Sequence, residues 1–208
     1  GDPQFGGMGL PITLTTCLNE MMSSACLSLA LNPLMTQGQI EALENYACEE
    51  IKALYLPKLN SGTWTGTMNL TEPHAGSDVG SLSTKAEPLV DGKFEIYGQK
   101  IYISWGDHDL AENICHLVLA RLPGCPKGVK GISLFIVPKF IPDQEGNLGS
   151  MNKLKPISLE KKMGLHGSPT AVMQYDGAKG WLIGKKNEGM ATMFTMMNNA
   201  RLGVGVQG

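Results

Sequence analysis

The sequence predicts an α+β protein, with a helical N-terminal segment, a central antiparallel β-barrel or sandwich, and the start of a C-terminal helical bundle. Two observations carry this. Apolar residues recur at helical spacing from Ile12 to Leu54 and again after Gly189. Between Thr65 and Tyr175 they gather instead into short runs rich in Val, Ile, Tyr, Phe and Thr, separated by turn residues. Short strands that follow one another without helical stretches between them indicate antiparallel pairing rather than β-α units.

The helical part reads as two stretches. Ile12, Leu14, Leu18, Met21, Met22, Ala25 and Leu29 keep one rhythm, with Pro11 placed to open the helix and Asn32-Pro33 to close it. Ile40, Leu43, Ala47, Ile51 and Leu54 continue it until Pro57 and Ser61-Gly62. The strand candidates are 67–70, 82–89, 93–104, 114–121, 132–138 and 171–175. Asp91-Gly92 reads as a type I′ hairpin, in which both central residues take positive φ. Residues 143–156, rich in Gly, Asn, Lys and Ser, read as a loop. The last helix carries Met190, Met193, Phe194, Met197, Arg201 and Val204, and its apolar face has no evident partner in the chain. The division that follows is 1–64 for the end of a helical domain, 65–184 for the β domain and 185–208 for the first helix of a further helical domain. Gly1 and a helix running up to Gly208 read as cut ends.

Composition excludes several functions. Seventeen basic and nineteen acidic residues, scattered along the chain, give no footprint for nucleic acid or an anionic membrane surface. No apolar stretch approaches the ~18 residues of a membrane span. The five cysteines form no Cys-x-x-Cys pair and the four histidines have no ligand spacing, which argues against a disulfide framework or a metal site and suits a reducing compartment.

Thr71-Glu72-Pro73-His74-Ala75-Gly76-Ser77-Asp78 follows the first strand candidate. On chemistry alone, two hydroxyls and a glycine in a tight turn expose backbone N–H groups to an anion such as phosphate. An ordinary Pro/Gly turn, with Ser77 or Asp78 capping the next element, fits the same residues.

This turn resembles the Thr-Glu-Pro-x-Ala-Gly-Ser-Asp signature of acyl-CoA dehydrogenases. Further stretches stand in that family's order: Leu56-Pro57-Lys58-Leu59 before the turn, then Gly98-Gln99-Lys100-Ile101-Tyr102-Ile103-Ser104, Lys162-Met163-Gly164-Leu165-His166-Gly167, Asn187-Glu188-Gly189 and Arg201-Leu202-Gly203-Val204. Gly106-Asp107-His108-Asp109-Leu110 and the insert 138–157 resemble a bacterial branch that includes 3-(methylthio)propanoyl-CoA dehydrogenases.

The resemblance implies FAD as cofactor and an acyl-CoA thioester oxidised to a trans-2-enoyl-CoA. It also implies an electron-transfer flavoprotein as partner, a homo-oligomer and a bacterial cytoplasmic location. It places the backbones of Met68 and Leu70 and the hydroxyl of Thr71 on the flavin, and Gly76 and Ser77 at its phosphate, with Ser77 also near the substrate. Tyr102 stands where the family has Trp against the ring, followed by Ile103, and Ser104 stands where it has a ring-bonding Thr. Asn198 and Arg201 fall in the substrate region.

Several of these residues also have a plainer role open to them. Tyr102 also fits a core aromatic, Arg201 an interhelical salt bridge, and the methionines either an acyl tunnel or core filling. Of the family's two positions for a proton-abstracting carboxylate, one is Ala200 here, so the catalytic base is expected downstream of Gly208. Glu72 is read as structural. Rival readings are an acyl-CoA oxidase, a flavin-binding member without dehydrogenase activity such as the DNA-alkylation-response relatives, and a β-sandwich that no longer holds cofactor.

Overall fold

The computed structural model describes residues 1–208. Helix α1 (Ile12–Tyr46) breaks at Cys26, whose φ of −158° and ψ of 92° are not helical, rather than at Asn32-Pro33. Pro33 lies inside the second half and removes one backbone bond. Burial of Leu34, Met35, Ile40 and Leu43 holds that half in place regardless, since packing outweighs local propensity. The rhythm read as one helix from Ile40 to Leu54 is two. The chain turns at extended Ala47, and α2 (Glu49–Asn60) follows with Pro57 inside it. Leu43, Ala47 and Ile51 enter the same core from both sides of that turn, so the apolar pattern runs through it unbroken.

Nine strands follow: β1 (Trp64–Asn69), β2 (Lys85–Pro88), β3 (Phe94–Ser104), β4 (Asn113–Arg121), β5 (Ile132–Pro138), β6 (Phe140–Pro142), β7 (Leu148–Met151), β8 (Leu154–Leu159) and β9 (Thr170–Ile183). Seven of them form one sheet in the order β1-β4-β2-β3-β9-β5, with β8 on β9 and β4 also paired to β5. The sheet therefore curls until β2 meets β4 at the single pair Lys85–Arg121. Pairing is antiparallel except for β1–β4 and β2–β4. Phe94, Ile96, Val118, Phe135, Met173 and Tyr175 fill the inside of the curl. The outer faces of β1, β4 and β5 bury Trp64, Leu117, Leu134 and Ile136 against the helices.

Two local readings change. At the hairpin, only Gly92 takes positive φ, at 77°; Gly92 N–H donates to the Leu89 carbonyl and Leu89 N–H to the Lys93 carbonyl. This is a type I turn closed by a left-handed glycine, the three-residue alternative to the type I′ form. Residues 143–156 are not one loop. Strands β6 and β7 form a hairpin whose turn is tied by Asp143, which accepts from the amides of Glu145 and Asn147, and β8 follows it. All of β7 is exposed and without alternation, so no periodic signal marks it.

Helix α3 (Gly189–Gln207) has a partner in the chain after all: it packs on α1. Two glycines set the approach. A Cβ on Gly203 would lie 2.3 Å from Leu34 Cδ1, and one on Gly38 would lie 3.1 Å from the Met196 carbonyl oxygen. Met193, Met196 and Ala200 are buried there, while Phe194, Leu202 and Val204 remain exposed on the other face.

Candidate functional site

Strand β1 leads directly into the turn. Its alternate residues part to opposite faces: Gly66 meets Gln39 of α1, while Thr67 and Asn69 enter a buried polar chain with His116 and Tyr175. Met68 reaches the helical side and lines a cleft of about 250 Å³ with Met197, Ala200, Arg201 and Val204. At the strand's end the Leu70 carbonyl accepts from Lys100 Nζ at 3.0 Å, and the Thr71 carbonyl from the Ile101 amide at 2.9 Å. The start of the turn and the end of β3 are thereby fixed side by side. The Leu70-Thr71 end of the first predicted stretch thus lies beside the residues that lead into Tyr102, Ile103 and Ser104, and Met68 shares its cleft with Arg201.

The turn closes on itself. Glu72 and Ala75 exchange both backbone hydrogen bonds, at 3.1 and 3.0 Å, leaving Gly76 and Ser77 exposed beyond them. The Glu72 carboxylate is buried and accepts from Ser83, Thr84 and Lys100. Burial alone would raise its pKa. The Lys100 ammonium and the Thr84 and Ser83 donors outweigh burial and hold it at about 2. Burial also pushes Lys100 down to about 8 against the pull of Glu72. A carboxylate so engaged cannot serve as a proton acceptor near neutral pH, and the structural reading of Glu72 holds.

On β3 the register slips between Lys100 and Ile103, a bulge that turns one residue outward. That residue is Tyr102, with φ 60° and 61% of its surface exposed, so it is not a core aromatic. Ile103 points into the curl of the sheet and offers only its backbone to this side. Trp105, two residues past the bulge's end at Ile103, also has positive φ, 55°. Left-handed backbone at bulky residues costs about 1–2 kcal/mol each. The Trp105 indole N–H, which donates to the Ser28 carbonyl of α1 at 3.0 Å, helps hold the conformation.

Arg201 makes no salt bridge. It lies 5.4 Å over the Phe194 ring and donates to Asn198 Oδ1 at 3.0 Å, so two of the three predicted substrate residues touch each other. The methionines divide between both readings: Met193, Met196 and Met173 are core, whereas Met68 and Met197 line the cleft. Sequence reasoning missed Lys100, Thr84 and Trp105. A lysine in the middle of a strand candidate, directly before Ile101-Tyr102-Ile103, was the available signal for the first.

These residues fit a flavin nucleotide. The hydroxyls of Thr71, Ser77 and Ser104 have no hydrogen-bond partner in the chain and are free to bond a ligand. A Cβ on Gly76 would meet only the Thr71 methyl, 3.6 Å away, so the turn leaves open space where a phosphate can approach the backbone. Tyr102 adds an exposed flat ring beside them.

Residues 67–178 match the middle domain of acyl-CoA dehydrogenases, more than half of the chain. The chain belongs to the acyl-CoA dehydrogenase family. It is 51% identical to 3-methylmercaptopropionyl-CoA dehydrogenase of Ruegeria pomeroyi over 99% of its own length and 35% of that protein's. Among solved structures it is similar to an acyl-CoA dehydrogenase from Bacillus anthracis complexed with FAD, with a TM-score of 0.79 and 25% identity over 99% of this chain and 33% of that one. It also resembles the Caenorhabditis elegans protein ACDH-11 in complex with C11-CoA, with a TM-score of 0.77 and 27% identity over 92% and 33% of the two chains. The chain thus spans about a third of the length of these acyl-CoA dehydrogenase relatives. Members of the family bind FAD. The matched span begins at Thr67 and so contains the turn, the bulge and the buried Glu72–Lys100 pair.

Proposed function

We propose that this chain supplies the flavin-facing and thioester-facing parts of an FAD-dependent acyl-CoA dehydrogenase. The observation that carries the reading is that β1 links three stretches: the turn at its end is bonded to β3 next to the bulge, through Thr71 and Ile101, and its Met68 shares a cleft with Ala200 and Arg201 of α3. Thr71 and Ser104 offer hydroxyls to the ring, Tyr102 packs against it, the backbones of Met68, Leu70 and Ile103 run along its edge, and Gly76 and Ser77 receive the phosphates. When bound, FAD supplies the hydride acceptor for removal of hydrogen from the acyl chain. Arg201, oriented by Asn198, lies where a thioester carbonyl or CoA phosphate would be met, and Met68 and Met197 give a pliable apolar wall for a short acyl chain.

The proton acceptor is not in this cleft. Ala200 has no acid–base group and Glu72 is locked, so the carboxylate comes from elsewhere in the whole protein. The similarity to the Ruegeria protein supports a substrate of the 3-methylmercaptopropionyl-CoA type. An electron-transfer flavoprotein as acceptor, a homo-oligomeric assembly, a bacterial cytoplasmic location and the domain division 1–64, 65–184 and 185–208 belong to the same proposal. No helix is long and apolar enough to cross a membrane.

The full-length protein tests this. It is expected to purify with oxidised-flavin absorbance that bleaches anaerobically on adding 3-methylmercaptopropionyl-CoA. A colourless protein that takes up no added FAD rejects the cofactor. Rapid reoxidation of the reduced flavin by air favours the oxidase over the dehydrogenase.

A further inference from the structure

The Glu72 carboxylate receives five hydrogen bonds while only 2% exposed: from the amide and hydroxyl of Ser83 at 2.7 and 2.9 Å, from those of Thr84 at 3.1 and 2.6 Å, and from Lys100 Nζ at 2.8 Å. Lys100 is fully buried and spends a second donor on the Leu70 carbonyl. The carboxylate therefore ties three separated points together: the turn itself, the chain returning from it at residues 83–84, and β3. Gly98 is part of the device. Its φ is 148°, and a Cβ there would lie 2.5 Å from Thr84 Oγ1, so a side chain would push Thr84 off the carboxylate. The spacing Gly98-Gln99-Lys100 thus has a physical reason, with the glycine admitting Thr84 and the lysine, on the same strand, meeting Glu72.

A buried ion pair is weak evidence for stability, because desolvation offsets much of its attraction. What this one does is geometric. It fixes the Leu70 carbonyl and both ends of the segment carrying Thr71, Gly76 and Ser77. We propose that Glu72 and Lys100 are a positioning pair that holds the turn in its flavin-receiving shape. Neither residue touches the ligand; both act through Leu70, Thr71 and the turn. The proposal rests on the flavin reading of the site and goes beyond it by assigning the pair a role in that site.

The test uses the full-length flavoenzyme with Glu72→Gln, Lys100→Met, the double variant Glu72→Gln/Lys100→Met, and Leu56→Ala. The last cuts a fully buried side chain in α2 and reports what lost stability alone does. The readouts are the FAD dissociation constant, the midpoint potential of the bound flavin, and the thermal midpoint of the apoprotein. The double variant leaves no unpaired buried charge and serves if the single variants fail to fold. FAD affinity is expected to fall by about 10-fold or more in the double variant relative to Leu56→Ala. The flavin potential is expected to shift in the double variant and not in Leu56→Ala. FAD held by the double variant as tightly and at the same potential as in Leu56→Ala overturns the positioning role. A parent protein that takes up no FAD overturns the underlying reading of the site instead.

Discussion

Gly66 of β1 and Gln39 of α1 are in direct contact, so close that a Cβ on Gly66 would lie 1.8 Å from Gln39 Oε1 and 3.0 Å from its Cβ. Gln39 is fully buried, and neither atom of its amide has a hydrogen-bond partner. The neighbouring Gly66 amide donates to Thr36 Oγ1 on the same helix at 3.0 Å. Helix α1 thus lies directly on the strand that leads to the turn, and the missing side chain at Gly66 is what permits it.

Gly66→Ala is therefore expected to destabilise the protein by about 1–3 kcal/mol, since the buried Gln39 has nowhere to swing. Gln39→Ala alone removes two unpaired polar atoms and leaves a small cavity, two effects that oppose each other. Combined with Gly66→Ala it recovers most of the loss. Denaturant unfolding of the four proteins checks this, and strictly additive losses in the double variant would show that the two residues do not collide.

That contact also shows where the sequence is legible. Strands 114–121 and 132–138 are legible almost to the residue, because each is a mostly apolar run, interrupted inside only by His116 or Ser133. The helix end expected at Asn32-Pro33 does not occur, since burial of Leu34 outweighs what a proline does locally, whereas Ser61-Gly62 does stop α2 just after Pro57. The packing of α3 on α1 depends on Gly38 and Gly203, where the decisive feature is an absent side chain that no hydrophobic pattern records. At the site, the turn was visible as a motif. Thr84 was not, because it reaches Glu72 only once β2, β3 and the turn have folded together.

Thr71→Val and Ser104→Ala each remove one free hydroxyl from the flavin-facing side without touching the core. Each is expected to weaken FAD binding by about 0.5–1.5 kcal/mol or to slow flavin reduction correspondingly. Tyr102→Ala removes the exposed ring and is expected to weaken binding further. Titration of the apoprotein with FAD measures all three. Unchanged affinity and reduction rate in the two hydroxyl variants would remove these positions from the site.

Arg201→Ala should act on substrate rather than on stability, because the side chain is exposed and bound only to Asn198 and the Phe194 face. The expected result is a raised KM for acyl-CoA, about 10-fold or more if a charge-assisted bond is lost, with the thermal midpoint and FAD content unchanged. Asn198→Ala should reproduce a smaller part of the effect by releasing the guanidinium. Parental KM in Arg201→Ala would place the substrate away from this face of α3.

His116 gives the protein an acid sensitivity with a predictable window. The Tyr175 hydroxyl donates to Asn69 Oδ1 at 2.8 Å, and Asn69 Nδ2 donates to Thr67 Oγ1 at 2.8 Å. Thr67 Oγ1 and His116 Nδ1 share the next hydrogen bond at 2.7 Å, and the buried Nε2 of the ring has no partner. Burial, with smaller contributions from the positive charges of Lys139 and His108, lowers the His116 pKa from 6.5 to about 3. At neutral pH the ring is uncharged in the folded protein and mostly so in the unfolded chain. As pH falls through 6.5 the unfolded chain takes up a proton that the folded protein refuses until about 3, so this part of the stability is complete above 6.5 and is lost on the way down. The slope from one such group is at most about 1.4 kcal/mol per pH unit. Glu72, depressed from 4.5 to about 2, adds its own loss in the same direction only below 4.5. Between pH 6.5 and 4.5 the difference in slope between the parent and His116→Phe therefore isolates the histidine. The variant is expected to be less stable at pH 7, through the broken polar chain, yet flatter over that window in chemical unfolding. Parallel pH profiles would mean that the buried ring is already protonated, or that Thr67 and Asn69 open to water before the chain unfolds.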